Sequence, residues 1–380
     1  MRSWKPLLLT LPLLWPLPVK AQAPDAQSDL AANAAVQYWQ AFALMPALDK
    51  EQEKLLENWA TVPLDAAAMR LIDSSAQSRI YLHRGAKRQR CDWGLDYSDG
   101  MTLMLPHLAK ARDLARLAAL HARHEFEQGH WKAGREDATS MMALARHAGR
   151  DPIMIAVLVR YLIEGTMVDL VAPYVPQLKA PYAESAAMFE ALPPAVTLQQ
   201  TIVTEKKFMA EWLLNKLREA ERAKPGAWRE IWQQAVLSSP DVPEVAKSAD
   251  TFEKATKLLE DLLPVYDELV MHAALPKEQF DAQYPVFKEK TRAALPLAGF
   301  VLPAVDKYLA TEHRNQARLA MLLAAIAVAQ DGPEKLKEIK DPFGDGPFEF
   351  RPLDQGFELK SKLLFEGKPV TLTVGQRAKE

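Results

Sequence analysis

The sequence predicts a mainly α-helical protein, an irregular array of antiparallel helices closed by a small β-meander at its C-terminal end. Up to about Gln330, apolar residues recur at helical spacing in segments punctuated by proline and glycine. Beyond Gly332-Pro333 the period changes, and short segments alternate apolar and polar residues. With 49% hydrophobic and 25% charged residues, the composition is that of an ordinary globular protein.

The N-terminal segment Met1–Ala23 has the features of a secretory signal peptide. Arg2 and Lys5 precede an apolar run from Leu7 to Val19, and Ala21-Gln22-Ala23 is a small-residue cleavage site. The run is shorter than the roughly 20 residues that cross a bilayer. We therefore expect an exported protein, periplasmic or secreted, with no membrane span after signal cleavage.

Three helices are predicted to begin at a carboxylate that caps free N–H groups, namely Asp29–Met45, Asp49–Ala60 and Asp65–Arg84. The next is a long amphipathic helix, Leu103–Gln128, which Gly129 ends. Because the turn that follows is minimal, we expect Trp131–His147 to return antiparallel to it. This hairpin resembles a single tetratricopeptide unit, whereas arrays of that kind need about three units.

The helix predicted over Ile153–Val171 is apolar almost all round, which indicates a central, buried position. Further helices are predicted over Thr197–Arg222, Asp250–Leu275 and Pro303–Gln330. The pattern is weakest in Lys224–Ser248, and we expect an exposed connection there.

Three alternating segments are predicted as strands, namely Phe348–Arg351, Phe357–Lys360 and Val370–Val374. Asp354-Gln355-Gly356 supplies the turn between the first two. Because two or three strands are not stable alone, their apolar face must pack on the helices. The expected organisation is therefore a signal peptide (1–23), a helical body (24–332) and the meander (333–380).

Charge and cysteine content argue against a nucleic-acid-binding protein and against a protein stabilised by intramolecular disulfides. Signal cleavage removes three cations (Arg2, Lys5 and Lys20) and changes the formal net charge from −2 to −5. A mildly acidic protein is not expected to bind nucleic acid, because that binding depends on cations at the phosphates. Cys91 is the single cysteine, so an intramolecular disulfide cannot form.

The interruption at Gly85–Gly100 is the first candidate site, because loops rich in aromatic and charged side chains bind ligands. Its candidate binding residues are Arg88, Arg90, Asp92, Trp93, Asp96 and Tyr97. Their spacing does not match an EF-hand calcium loop. The alternative is a structural loop that Trp93 anchors and that Arg–Asp pairs hold in place.

The second candidate site consists of His107, His121 and Glu125, which fall at the edge of the apolar face of Leu103–Gln128. A histidine and a glutamate one turn apart can bind a metal or transfer a proton. The zinc-hydrolase pattern H-E-x-x-H is not met, because Gln128 stands where the second histidine is required. We therefore predict no metal site and no cofactor, and hydrogen-bonded histidines at a helix edge are the simpler interpretation.

Arg160 and Glu164 lie four residues apart on the most apolar helix and therefore share one face. An ion pair inside a core is either structural or part of a functional site. We favour the structural interpretation.

Two segments resemble known families. The loop Cys91-Asp92-Trp93-Gly94-Leu95-Asp96-Tyr97 and the tail Asp341-Pro342-Phe343-Gly344-Asp345-Gly346-Pro347-Phe348, together with the hairpin, resemble a group of uncharacterised exported bacterial proteins. That resemblance implies an exported helical fold and no particular activity. The tail alone is also similar to the C-terminal end of type II secretion pseudopilins, but the chain has neither their N-terminal helix nor their acidic calcium loop. The shared motif therefore implies turn chemistry.

Three functions are compatible with these features. The leading one is an exported, non-catalytic scaffold or binding protein whose partner is another exported or envelope protein, because helical arrays offer concave surfaces and no nucleophile elbow or phosphate loop occurs. The alternatives are an uncharacterised hydrolase that uses His107, His121 and Glu125, with or without a metal, and a component of the cell envelope or secretion machinery.

Overall fold

The computed structural model describes residues 32–178, 191–238, 244–299 and 302–375. The predicted signal peptide and the predicted cap Asp29 lie outside these residues. The protein is 70% helical, with fifteen helices and a three-stranded antiparallel sheet in the described part, so the predicted fold class is confirmed. No helix in these ranges is long and apolar enough to span a membrane.

The helices follow the chain in two groups. The first group is α1 (Ala34–Ala43), α2 (Lys50–Glu57), α3 (Ala66–Ser74), α4 (Ala76–Ala86), α5 (Pro106–Glu127), α6 (Trp131–Ala148), α7 (Met154–Val171) and α8 (Val175–Leu178). The second is α9 (Leu198–Glu205), α10 (Trp212–Ala223), α11 (Trp228–Trp232), α12 (Glu244–Lys247), α13 (Phe252–Ala273), α14 (Lys277–Ala294) and α15 (Leu302–Asp331). Short 3₁₀ turns occur at Tyr97–Thr102, Ala172–Tyr174, Pro296–Gly299 and Pro333–Glu338, and π-helical turns at Lys206–Glu211 and Gln233–Leu237.

Local capping explains several helix boundaries. Asp49 and Asp65 cap α2 and α3 as predicted, and Asp49 forms a capping box with Gln52. The prediction of a single helix over Asp65–Arg84 is wrong, because the helix is interrupted at Ser75, between α3 and α4. The hydroxyl of Ser75 donates to the carbonyl oxygen of Ile72 at 2.8 Å, so a side chain replaces the helical N–H partner there.

The predicted hairpin is present. Gly129 has a φ of +77° and ends α5, and α6 begins two residues later at Trp131. The two helices pack against each other across this turn. Helix α7 lies against both and is buried along most of its length, as its apolar sequence predicts.

The buried apolar residues form two clusters. The first core joins α1–α8, the C-terminal half of α15 and the sheet, and the second core joins α9–α14 and the start of α15. Helices α7 and α15 contribute to both: Tyr161 and Tyr308 lie in the second core, whereas Met167 and Met321 lie in the first. The two halves of the molecule therefore meet along α7 and α15.

The prediction of an exposed connection over Lys224–Ser248 is wrong. Trp228 and Trp232 are each only 2% exposed and belong to the second core. The indole N–H of Trp232 donates to the carbonyl oxygen of Ala246 at 3.2 Å. Two tryptophans in a weakly periodic segment bury enough apolar area to fix it in place.

The C-terminal sheet consists of β1 (Glu349–Pro352), β2 (Phe357–Phe365) and β3 (Lys368–Val374), antiparallel and in chain order. The predicted meander is therefore confirmed. Alternate residues of β2 and β3 are buried and pack on α15, for example Leu359 and Leu372. The sheet thus covers the end of the first core.

Candidate functional site

A cavity of about 460 Å³ lies where the two cores meet. Its wall is formed by α6, α7 and α15, by the segment before α9, by the end of α13 and by the tail after the 3₁₀ turn at Pro333–Glu338. The charged and amide side chains on this wall are Arg146, Arg160, Glu164, Glu312, Asn315 and Gln316. The cavity therefore combines a group of charged and amide side chains with apolar wall residues, and it sits between two apolar clusters.

Helical spacing and one close contact bring these side chains together. Arg160 and Glu164 are one turn apart on α7, and Glu312 and Gln316 are one turn apart on α15. Gly149, directly after α6, lets that helix approach α7: a Cβ at this position would lie only 2.7 Å from the Cβ of Arg160.

The predicted ion pair between Arg160 and Glu164 is present, but it is part of a larger cluster. The Nε of Arg146 lies 2.9 Å from Oε1 of Glu164, and the Nε of Arg160 lies 3.8 Å from the same oxygen. The side-chain amide of Asn315 donates to Oε2. Glu164 is 1% exposed and Arg160 4% exposed. The buried guanidinium of Arg160 and the partly exposed guanidinium of Arg146 therefore share one buried carboxylate.

Glu312 is the second carboxyl group on the wall. Burial raises its pKa above the usual range, although the neighbouring Tyr161 hydroxyl and the charge of Arg160 act in the opposite direction. The guanidinium of Arg160 stacks over the ring of Tyr161 at 4.4 Å. Glu312 is therefore protonated more easily than an exposed glutamate.

The tail motif forms part of the same wall. Asp341 is fully buried and accepts hydrogen bonds from the Ser361 hydroxyl at 2.9 Å, from the Lys362 N–H at 2.7 Å and from the Phe343 N–H at 3.0 Å. This fixed turn holds Phe343 on the cavity wall, with its ring 5.1 Å from that of His313. The turn that the sequence motif implies is therefore present, and it positions Phe343 on the cavity wall.

The candidate loop is ordered mainly by aromatic contacts. Trp93 is 5% exposed, and its indole N–H donates to the carbonyl oxygen of His147 at 2.9 Å. Its ring stacks on His107 at 4.5 Å and on Tyr38 at 5.8 Å. Trp93 is therefore a buried anchor between the loop and the first core.

The other candidate binding residues of the loop lie at the surface. Tyr97 donates to the carboxylate of Asp151, and Asp96 accepts from the N–H of Ser98 at 3.0 Å. Gly85 itself belongs to α4, so the loop is shorter than predicted. The following residues are exposed: Arg88, Arg90, Asp92, Asp96 and Tyr97. Arg90 and Asp92 approach only to 4.0 Å, so this exposed pair contributes little to the order of the loop.

The structure brings His121 and Glu125 together but not His107. The Nε2 of His121 lies 3.6 Å from Oε1 of Glu125, and its Nδ1 lies 2.5 Å from Oδ2 of Asp137. His107 precedes His121 by fourteen residues on α5, a distance of about 21 Å. It is fully buried against Trp93, and burial lowers its pKa to about 4.

Asp137 and His83 are members of the histidine cluster that the sequence did not reveal. Asp137 is fully buried and pairs with Nε2 of His83 at 2.8 Å as well as with His121. Burial alone would raise its pKa, but the two histidines outweigh this effect and lower it. The sequence signal that could have revealed Asp137 is its position beside Ala138 on α6, where small residues mark the buried face of the helix. Across the described ranges, no three His, Cys, Asp or Glu side chains are arranged to hold a metal ion.

Cys91 is buried near Asp151. Burial and that neighbouring charge raise the pKa of its thiol, so it is protonated at neutral pH and has little nucleophilic reactivity.

The cavity around Arg146, Arg160 and Glu164 brings buried charge to the wall of a cavity of about 460 Å³, and it is the candidate functional site. Such convergent polar groups in a cavity between two packed halves are typical of ligand sites. Comparison with family models, curated proteins and solved structures finds no match for this chain. Its function is therefore inferred from the chemistry of the cavity.

Proposed function

We propose that the protein is an exported, non-catalytic binding protein that holds a small polar molecule in the cavity between its two cores. One observation carries the proposal: Arg160 and Glu164 are almost fully buried, yet both line a cavity of about 460 Å³. Buried charge is weak evidence for stability, because its desolvation offsets the attraction within the pair. A ligand that pairs with these groups gives a reason for their presence.

The size of the cavity supports the same proposal. Ligand pockets span about 300–1,000 Å³, and the cavity falls in this range. The export part rests on the signal-peptide features of Met1–Ala23.

The hydrolase alternative has less support. It needs His107 beside His121 and Glu125, but His107 lies about 21 Å from His121 along α5. His121 is engaged by the buried Asp137 at 2.5 Å. The envelope-component alternative rests on the tail motif, and the hydrogen bonds of Asp341 account for that motif without a partner.

A cavity-filling variant tests the proposal. Ala273 lines the cavity, whereas its neighbour Ala274 is exposed and does not. The full-length protein and the variants Ala273→Phe and Ala274→Phe would be expressed in a Gram-negative host and recovered from its envelope fraction. Native mass spectrometry would then detect bound small molecules.

We expect a bound small molecule on the wild type and on Ala274→Phe, and its loss from Ala273→Phe. Equal occupancy of the two variants, or a folded wild type that carries no molecule, would contradict the proposal. Circular dichroism of each variant checks that the larger side chain has not unfolded the protein.

A further inference from the structure

Arg146, Arg160 and Glu164 form a charged cluster on the cavity wall, with two positive charges and one negative charge. Arg146 and Arg160 both face Oε1 of Glu164, at 2.9 Å and 3.8 Å. The other oxygen, Oε2, is already taken by the amide of Asn315. Two guanidinium groups are therefore matched by one carboxylate.

Glu312 lies on the same wall, and burial raises its pKa. It forms no ion pair within 4 Å with either guanidinium group among the described ion pairs, in which both groups approach Glu164.

The arginines approach Glu164 through Nε, which leaves their terminal nitrogens for other partners. Arg146 makes no hydrogen bond from these nitrogens to any described residue. Arg160 has one weak bond, from Nη1 to the carbonyl oxygen of Val196 at 3.4 Å. A guanidinium group carries five donors in a fixed plane, so most of the donors on this wall are uncommitted.

The plane of Arg160 is set before any ligand binds. Its guanidinium lies over the Tyr161 ring at 4.4 Å, and its Cβ packs against Gly149. The Nε of Arg146 lies 2.9 Å from Oε1 of Glu164, and this ion pair positions the guanidinium of Arg146. Binding groups held in this manner lose little conformational entropy when a ligand arrives.

We infer that the ligand carries one carboxylate group, which Arg146 and Arg160 bind beside Glu164. The inference rests on the proposed binding function and adds the chemical class of the ligand. A carboxylate accepts two parallel hydrogen bonds from a guanidinium, and its single charge balances the cluster. A phosphate monoester carries a charge of about −1.5 to −2, which exceeds the net positive charge of Arg146, Arg160 and Glu164 and therefore meets more repulsion from Glu164 than a carboxylate does.

Benzoate and benzamide test the inference, because they have nearly the same shape and differ in charge. Their dissociation constants for the full mature protein would be measured by calorimetry at constant ionic strength, with phenyl phosphate as the dianionic probe. We expect benzoate to bind at least about tenfold more tightly than benzamide, because charge-assisted hydrogen bonds are roughly twice as strong as neutral ones. Phenyl phosphate should bind more weakly than benzoate.

Two arginine variants locate the site. Arg146→Gln should remove the preference for benzoate, whereas Arg150→Gln makes the same change of charge at an exposed position outside the cavity and should keep it. Arg146→Lys retains the charge without the planar donor pair and should restore only part of the preference. Melting temperatures without ligand check that each variant is folded.

The outcomes separate this inference from the proposed function. If benzoate and benzamide bind equally and Ala273→Phe blocks both, the cavity binds small molecules but the carboxylate inference is wrong. A preference for benzoate that survives Arg146→Gln would place the anion elsewhere and overturn the inference. If neither probe binds the wild type, the carboxylate inference is overturned, and the molecule recovered with the exported protein decides the binding function independently.

Discussion

Trp93 stacks on His107 with ring centroids 4.5 Å apart, and this contact joins the loop before α5 to the first core. The same indole donates to the carbonyl oxygen of His147, at the end of α6. His107 is fully buried there, and neither of its ring nitrogens has a hydrogen-bond partner among the described residues. Burial lowers the pKa of His107 and favours its neutral imidazole, although Oδ2 of Asp151 lies 3.8 Å from its Nε2.

The first prediction concerns the pH dependence of stability. Burial lowers the pKa of His107 to about 4, against about 6.5 in an unfolded chain. Below pH 6.5 the unfolded chain therefore binds a proton that the folded protein does not. This effect of His107 alone should lower the free energy of unfolding by about 3 kcal/mol as the pH drops from 6.5 to 4. Burial also lowers the pKa of His147 to about 4, so the two histidines contribute similarly, and His107→Phe should remove roughly half of their combined effect.

Urea denaturation at several pH values between 7 and 4 measures this slope. His130→Gln is the control, since the His130 side chain is 65% exposed. An unchanged slope in His107→Phe would show that His107 is protonated in the folded state.

The second prediction is that Trp93 holds the loop in place. Trp93→Ala removes a nearly buried ring with its hydrogen bond and should lower the free energy of unfolding by about 3–5 kcal/mol. Trypsin should then cut faster at Arg88 and Arg90 than in the wild type. Limited proteolysis followed by mass spectrometry measures the rates, with the exposed Asp96→Ala as the control. Equally rapid cleavage in the wild type would mean that Trp93 does not order the loop.

The third prediction concerns Asp137. Asp137→Asn weakens two histidine contacts at a fully buried site, and we expect a loss of about 1–3 kcal/mol at pH 7. Because the histidines lower the folded-state pKa of Asp137 below that of the unfolded chain, its contribution is complete above pH ~4. This contribution to stability is lost as the pH falls through the pKa that Asp137 has in the folded protein.

The difference in stability between wild type and Asp137→Asn should therefore shrink in acid. Denaturation curves at pH 7 and pH 3 test this expectation. Glu136→Gln changes the neighbouring, half-exposed carboxylate and should have little effect. A constant difference at both pH values would show that the charge of Asp137 is not what matters.

The fourth prediction is that Asp341 positions the cavity wall. Asp341→Ala removes the acceptor for the Ser361 hydroxyl and for the backbone N–H groups of Phe343 and Lys362. We expect a loss of about 2–4 kcal/mol, because buried donors are left unpaired, together with weaker ligand binding as Phe343 shifts. Asp345→Ala alters an exposed residue of the same motif and is the control. Thermal denaturation and benzoate calorimetry give the two readouts, and wild-type values for both would contradict the prediction.

The fifth prediction is that the mature chain starts at or near Pro24, because Ala21-Gln22-Ala23 is the expected cleavage site. N-terminal sequencing of protein recovered from the cell envelope or the medium measures this directly. Met1 retained on exported protein would contradict it.

Features decided within a few residues of the chain could be predicted from the sequence. The cap at Asp49, the helix end at Gly129 and the turn before β2 depend on local hydrogen bonds and backbone conformation, and all three are present. The same local reasoning was wrong at Ser75 and in the segment around Trp232. At Ser75 the side chains of Ser75 and Arg79 both donate to the carbonyl oxygen of Ile72, which periodicity does not reveal. Trp232 is buried in the second core, which depends on tertiary packing.

The candidate site was decided by tertiary structure. The sequence paired Arg160 with Glu164 because they share a helix face, but it could not add Arg146 from α6 or Asn315 from α15. The cluster of Asp137 with His83 and His121 was hidden for the same reason. Periodicity states which face of each helix is buried, whereas the positions at which two buried faces meet depend on how α6, α7 and α15 pack. Close-packed side chains set that geometry only when the whole chain has folded.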